Sequence, residues 1–549
     1  MKFVLLAGAL ALSASAAQAQ ATAPTRAPPP AAAPAPPNLD PIFATWNRPD
    51  APGCAVGVGR NGRTVLTRAW GSSDLEHGVR NSPQTVFESG SIAKQFTAAA
   101  LLTLVQDGRV ALTDDVRKYI PELPDYGRPI TLEQLLNHTS GLRDWGEVAQ
   151  IGGWPRGSRI YTNREAVQIA TRQTRLNYAP GEEYSYTNTG YNLAALVVQR
   201  VSGRSLAEFS QERLFRPLGM AKTQWRDDFR KVVPGRAIAY RWTGRSWEQD
   251  MPFENTYGHG ALLTTIADLL TWNEALAQGR LGPVVTAELQ RQSKLNDGRT
   301  IAYARGVFVD RHFAALEIAH GGATAGYRTW LARYPEQGLS VALLCNAADA
   351  NTAVLGHKVV DRFIPPPAPA PGAPPLPVAP MDEVQRLAGL YVNDRTGAVM
   401  ELAAAQGALR VQGGPALQFV APGRYAGAGG DISFAGEGFT RRTQEGEVQA
   451  FRRVAPWSPS AAELAAAAGR YVSAEADAVH LLNVQGGRLV LQADDRPSAA
   501  VALTPIYADT FRISGPDTVR LVRGPDGRVQ ALSFWGPRIR DLRSVRAGD

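Results

Sequence analysis

Cysteine is nearly absent from these 549 residues: there are two, Cys54 and Cys345. That rules out a disulfide-dense scaffold and a cysteine-based metal site. Long apolar runs are missing too. Beyond the N-terminus, no stretch is long and apolar enough to span a bilayer. Lysine is scarce, present only as Lys2, Lys94, Lys118, Lys222, Lys231, Lys294 and Lys358. The net charge of +8 therefore comes from arginines, which are scattered among many acids. They form no basic stripe with interleaved aromatics, so nucleic acid is not an expected partner.

An apolar content of 44% is ample for globular cores, and the length favours several domains. Residues 1–19 read as a signal peptide: Lys2, an apolar run from Phe3 to Leu12, then Ala17-Gln18-Ala19 as a cleavage site. No cysteine stands beside that site, which argues against a lipid-anchored form, so an exported protein, periplasmic or secreted, is expected. Residues 20–38 are an Ala/Pro-rich spacer, and residues 365–380 a second, Pro-rich linker. Between them, residues 39–364 carry strand patterns at both ends and helical patterns in the middle. Cys54 to Gly59 and Thr64 to Thr67 flank an Asn61-Gly62 turn, the signature of a hairpin. Thr264 to Gln278 reads as an amphipathic helix, and Phe313–Ile318, Arg328–Tyr334 and Leu339–Leu344 as strands. The simplest solution is α+β: one antiparallel sheet, first and last strands adjacent, covered by helices. Cys54 would then start the first strand beside the end of the last, at Cys345. Two buried thiols are the default expectation there, since a bond also needs both side chains on one face.

Beyond the linker the pattern changes to short alternating strands with Gly turns, and it repeats. Leu387-Ala388-Gly389-Leu390-Tyr391-Val392 returns as Ala467-Ala468-Gly469-Arg470-Tyr471-Val472, and Gly446 to Ala450 returns as Gly527 to Ala531. Two copies of a unit of about 80 residues predict two small antiparallel, lipocalin-like β-barrels, at 381–456 and 461–549.

The chemistry centres on Gly90-Ser91-Ile92-Ala93-Lys94, which opens an apolar helix running to Val105. Residues i and i+3 share a helix face, so Ser91 and Lys94 point into one space. Taken alone, the pair reads equally well as a cap with a solvent-facing Lys. A neutral Lys94, favoured by burial, could take the Ser91 proton. In Tyr186-Thr187-Asn188 a phenol and an amide lie two residues apart, one able to shuttle a proton and the other to grip a carbonyl. In His320-Gly321-Gly322-Ala323, glycines at a strand edge admit a substrate backbone, and the Ala323 N–H with that of Ser91 would form an oxyanion hole. Alone, the first of these is an ordinary turn with a buried aromatic, and the second an ordinary Gly-rich hairpin. His259, between Gly258 and Gly260, is a further candidate for lining the pocket.

Together the three segments resemble the penicillin-recognising serine hydrolases, the family of class C β-lactamases, D-alanyl-D-alanine carboxypeptidases, related esterases and D-aminopeptidases. Ser91-x-x-Lys94, Tyr186-x-Asn188 and His320-x-Gly322 stand in the family's order over about Leu39 to Ile364. Leu135 to Leu142, Pro217-Leu218-Gly219-Met220 and Ala267-Asp268-Leu269 also match, as structural segments. The resemblance is greatest to the D-aminopeptidases, which carry two C-terminal barrels. It implies Ser91 as nucleophile, Lys94 and Tyr186 as its base system, Ser91 and Ala323 N–H as oxyanion donors, and Asn188, His320 and Gly322 around the substrate. A small-molecule or peptide substrate is implied, and neither metal nor cofactor. Within the same resemblance, a β-lactamase, a carboxylesterase or a non-catalytic penicillin-binding-like protein are the alternatives. D-aminopeptidases send a loop of the last barrel into the site to recognise the substrate's free amine. The matching turn here, Ser514-Gly515-Pro516-Asp517, is much shorter, which predicts an open cleft that accepts N-acylated D-amino acid esters or amides.

Overall fold

The structure is a computed structural model that describes residues 36–367, 377–427, 429–443, 446–496 and 498–548. The expected signal peptide and most of both Pro-rich segments lie outside these residues. From Asn38 onward the chain forms one compact unit. Its first part, residues 39–364, is built on a six-stranded antiparallel sheet. The strands run, in spatial order, Phe308–His312, Ala315–Thr324, Tyr327–Tyr334, Leu339–Cys345, Cys54–Arg60 and Arg63–Trp70. First and last segments of the domain are thus adjacent in the middle of the sheet.

Alternation along these strands divides the core in two. Ala55, Leu331, Ala342 and Leu344 face one side, under the helices Ala93–Gln106, Asn188–Ser202 and Ile266–Ala277. Val56, Val58, Trp330, Val341 and Leu343 face the other, under the helix Thr352–Val360. The Ala93–Gln106 helix is buried from Ala93 to Leu104, as its all-round apolar sequence demands.

Cys54 and Cys345 correct the expectation of free thiols: they form a disulfide. The register decides it. Cys54 pairs directly with Cys345, their Cα atoms 4.0 Å apart. Residues directly opposite in antiparallel strands present side chains to the same face, so the pairing satisfies both conditions at once.

The C-terminal third folds as two nearly closed antiparallel barrels, of eight and nine strands. Each opens with a short helix, Met381–Leu387 or Ala461–Ala467. The repeat seen in the sequence is a repeat of contacts. Tyr391 donates its hydroxyl to Leu387 O and lies under Arg453; Tyr471 donates to Ala467 O and lies under Arg546. The first barrel encloses its own core around Tyr391, Leu409, Ile432 and Phe439. The second does not stop at its own wall. Leu482, Phe534, Ile539 and Leu542 share one cluster with Trp145, Val148, Tyr161 and Ile169 of the first part. Arg143, almost wholly buried, donates to the carbonyls of Arg540 and Asp541. A shared apolar core makes the second barrel an integral wall of the molecule.

Candidate active site

Ser91 stands on a single 3₁₀ turn, Gly90–Ile92, that runs straight into the buried helix. Gly90 turns there with φ of +53°, a conformation that costs a side chain dearly. A Cβ on Gly90 would also lie 2.7 Å from the nitrogen of Ala323. On the other side, a Cβ on Gly322 would collide with the carbonyl of Ser89 and the hydroxyl of Thr329. Thr329 Oγ1 donates to that same Ser89 carbonyl at 2.7 Å. Both glycines therefore exist to let the strand Ala315–Thr324 lie against the Ser91 turn. That strand runs on through Gly321-Gly322 to Thr324 instead of ending at Ile318. Its neighbour Phe308–His312 pairs only as far as Ala319, so the 320–324 half keeps an open edge. Behind Ser89, Glu88 is wholly buried and bound by Arg226 at 2.8 and 3.0 Å, which fixes the turn from the core side.

Lys94 is fully buried, and its Nζ has three neighbours: Ser91 Oγ at 3.2 Å, Asn188 Oδ1 at 3.0 Å and the carbonyl of His259 at 2.7 Å. Burial drives its pKa well below the ordinary lysine value; Arg538 and Arg156 push the same way, and Asp144 opposes them. Asn188 begins the helix Asn188–Ser202, and Thr187 caps it. Asp144, itself the cap of the helix Trp145–Ile151, receives the Asn188 N–H at 2.7 Å. Tyr186 stands just before, its ring 4.7 Å from Lys94 Nζ. Burial holds its phenol above the ordinary value, and the Ser91 side chain partly offsets this.

His320 is placed differently from Ser91, Lys94, Tyr186 and Asn188, which converge. Its Nε2 meets the Tyr303 hydroxyl at 3.2 Å and its Nδ1 the Gly321 carbonyl at 2.5 Å, so the protein itself uses both nitrogens. Burial, with Lys94 adding, takes it down to about 3, leaving it neutral. Its ring lies 6.2 Å from that of Tyr186, as part of the wall that holds the phenol. His259 enters through its backbone carbonyl; its ring is buried against Asn192 and Arg156. His138, read from sequence as structural, packs its ring 4.2 Å from Tyr186.

Arg538, from the second barrel, carries no signal in the sequence. It sits in the turn between the strands Val529–Gly536 and Ile539–Arg546, with its guanidinium 5.1 Å from the Tyr186 ring. The short turn at Ser514–Asp517 brings Pro516 to the wall of the hollow beside Tyr186, and the Pro537-Arg538 turn of the same barrel reaches the Tyr186 ring itself. Two hollows flank the site. One, about 330 Å³, is lined by Tyr186, Thr396, Glu447, Pro516, Arg538 and Arg540. The other, about 380 Å³, is lined by Arg156, Asp250, Glu254, Ala323, Thr324 and Arg328.

A sheet with its helices on both faces, and a Ser-x-x-Lys pair at the foot of a buried helix, define the class. The chain belongs to the beta-lactamase family, whose model matches residues 39–362. Among curated proteins it is 28% identical over 364 residues to a D-aminopeptidase from Gluconobacter oxydans (strain 621H), covering 66% of this chain and 67% of that one. A D-aminopeptidase from Brucella canis is 28% identical over 366 residues, with 65% and 66% covered. The match thus spans about two thirds of these relatives' length. The octameric penicillin-binding protein homologue from Pyrococcus abyssi shares the fold over 90% of this chain and 96% of that one, with a TM-score of 0.52 and 18% identity.

Proposed function

We propose that the protein is a serine hydrolase that forms an acyl-enzyme at Ser91, acting D-aminopeptidase-like on amides, peptides or esters of D-amino acids. The observation that carries this reading is the surroundings of Lys94 Nζ. Two of its three partners, Asn188 Oδ1 and the His259 carbonyl, can only accept. A neutral amine satisfies both with its two N–H groups and turns its lone pair to the third, the Ser91 hydroxyl, which can donate. The burial that depresses Lys94 favours that form.

Ser91 Oγ attacks the carbonyl as its proton passes to Lys94, with the Tyr186 hydroxyl beside both. The oxyanion takes hydrogen bonds from the N–H groups of Ser91 and Ala323. Collapse breaks the bond to the amine or alcohol, which leaves with the proton that Ser91 gave up. Water then attacks the acyl ester and its proton follows the same route in reverse. A phenol held protonated by burial suits Tyr186 to relaying that proton, taking one as it gives one. Export, read from the leader, agrees with the Cys54–Cys345 disulfide.

Fluorophosphonate labelling followed by peptide mass spectrometry tests the nucleophile. The adduct is expected on Ser91 and on nothing in Ser91→Ala, while Lys94→Ala slows labelling by roughly 10²–10⁴-fold. Alanine p-nitroanilides of D configuration, free or acylated, should be cleaved faster than their L counterparts. An adduct elsewhere overturns the assignment, and nitrocefin turned over faster than any anilide makes the protein a β-lactamase instead.

A further inference from the structure

The Pro537-Arg538 turn is clamped in place by its backbone. Arg538 N–H donates to Glu147 Oε2 at 3.0 Å, and its carbonyl accepts from Asn177 Nδ2 at 2.9 Å and from the Asp144 N–H at 3.3 Å. Arg540, two residues on, pairs with Glu183 at 2.8 Å and is 11% exposed. The side chain of Arg538 is left otherwise. It makes no hydrogen bond to any described residue. Its nearest carboxylates, Asp144 and Glu147, stand 3.7 and 3.9 Å away, beyond hydrogen-bond reach. Both Asp144 oxygens already receive N–H donors, from Gly146 and Asn188. Burial and the neighbouring Asp144 push Glu147 above the ordinary carboxylate range, and Arg538 pulls it back. The Arg538 side chain keeps 35% of its surface open, toward the hollow of about 330 Å³ beside Tyr186. A clamped backbone thus presents a guanidinium that is loosely ion-paired to Asp144 and Glu147, with N–H donors not taken by hydrogen bonds to any described residue.

We propose that Arg538 is a specificity determinant that binds a carboxylate on the acyl portion of the substrate, so that the protein prefers N-acylated D-amino acid derivatives with an acidic acyl group over those with a free ammonium. The acyl side follows from position. Arg538 adjoins Asp144, which holds the Asn188 backbone, and Asn188 spends its Oδ1 on Lys94 while its Nδ2 bonds to no described residue. Under the proposed function that amide nitrogen grips the acyl group's carbonyl, and Arg538 lies next along the same wall. A free ammonium there would meet a fixed cation. The inference rests on the serine hydrolase reading for its catalytic consequence, and on the geometry alone for its binding consequence.

The test compares N-succinyl-, N-acetyl- and free-amine D-alanine p-nitroanilide at pH 7, where these are anionic, neutral and mostly cationic. The ratios of kcat/KM are read within each enzyme, so changes in overall activity cancel. The natural protein should favour the succinyl over the free-amine substrate at least tenfold. Arg538→Lys should keep the order and Arg538→Glu should reverse it. Ratios that stay the same across the three enzymes overturn the inference while leaving the hydrolase reading intact. Loss of all hydrolysis with no Ser91 labelling would remove the hydrolase reading instead. Binding then decides the inference separately. By calorimetry, N-succinyl-D-alaninamide should bind the Ser91→Ala protein at least tenfold more tightly than the Ser91→Ala, Arg538→Glu protein, and equal binding overturns the site.

Discussion

Arg538 and Lys94 are coupled through space, and the coupling sets a pH profile. Lys94 Nζ lies 4.7 Å from the centre of the Tyr186 ring and the Arg538 guanidinium 5.1 Å from it. The two cations are therefore no more than about 10 Å apart, where unit charges at an effective dielectric near 20 repel by ~1.7 kcal/mol, roughly one pKa unit. The open part of Arg538 lets solvent screen this, so about half a unit to one unit is expected. Under the proposed function Lys94 serves as base only when neutral, so kcat/KM rises with pH through its pKa. Burial is the main cause of its depression, Arg538 the next, with Arg156 adding and Asp144 opposing. Replacing Arg538 by Ala removes a cation, raises the Lys94 pKa and moves the acidic limb to higher pH by that half to one unit. The plateau at high pH should change little. The assay is kcat/KM for p-nitrophenyl acetate, a neutral substrate that Arg538 does not select, from pH 5 to 9. The shift should shrink at high salt. An acidic limb that stays in place, or moves down, would refute the claim that the barrel's cation tunes the base.

The close fit at Gly322 yields a second expectation. Gly322→Ala forces the strand away from Ser89 and should lower kcat by about 10²-fold or more through the displaced Ala323 N–H, with circular dichroism unchanged. Alkylation under denaturing, non-reducing conditions should find no free thiol, and the double replacement of Cys54 and Cys345 by Ala should cost about 2–5 kcal/mol in a denaturant titration. Ending the chain after Ile364 strips the partners from Arg143 and opens the cluster around Trp145, so the fragment should unfold at lower denaturant than the whole protein.

What the sequence determined by itself is the chemistry that runs along short spans. Ser91 and Lys94 share a helix face because they are three residues apart, and helical geometry brings Nζ to Oγ in any context that forms the helix. Tyr186 and Asn188 are legible as a short motif two residues apart, and the repeat that becomes two barrels with matching Tyr–Arg contacts is legible as recurring sequence. Tertiary structure alone decided the rest. The disulfide depends on the register of two strands that are 291 residues apart in sequence, which a single shift would undo. The strand through Gly321-Gly322 reads as a turn locally and becomes straight only because the Ser91 turn packs against it. His320 lies close to the site in sequence pattern, yet Tyr303 and the Gly321 carbonyl claim its nitrogens. Arg538 is one arginine among many, without motif or period. It gains its proposed role only when the second barrel merges its core with the helices that carry Trp145 and Ile169 and brings that turn to Tyr186, because electrostatics acts across distance in space and leaves no mark along the chain.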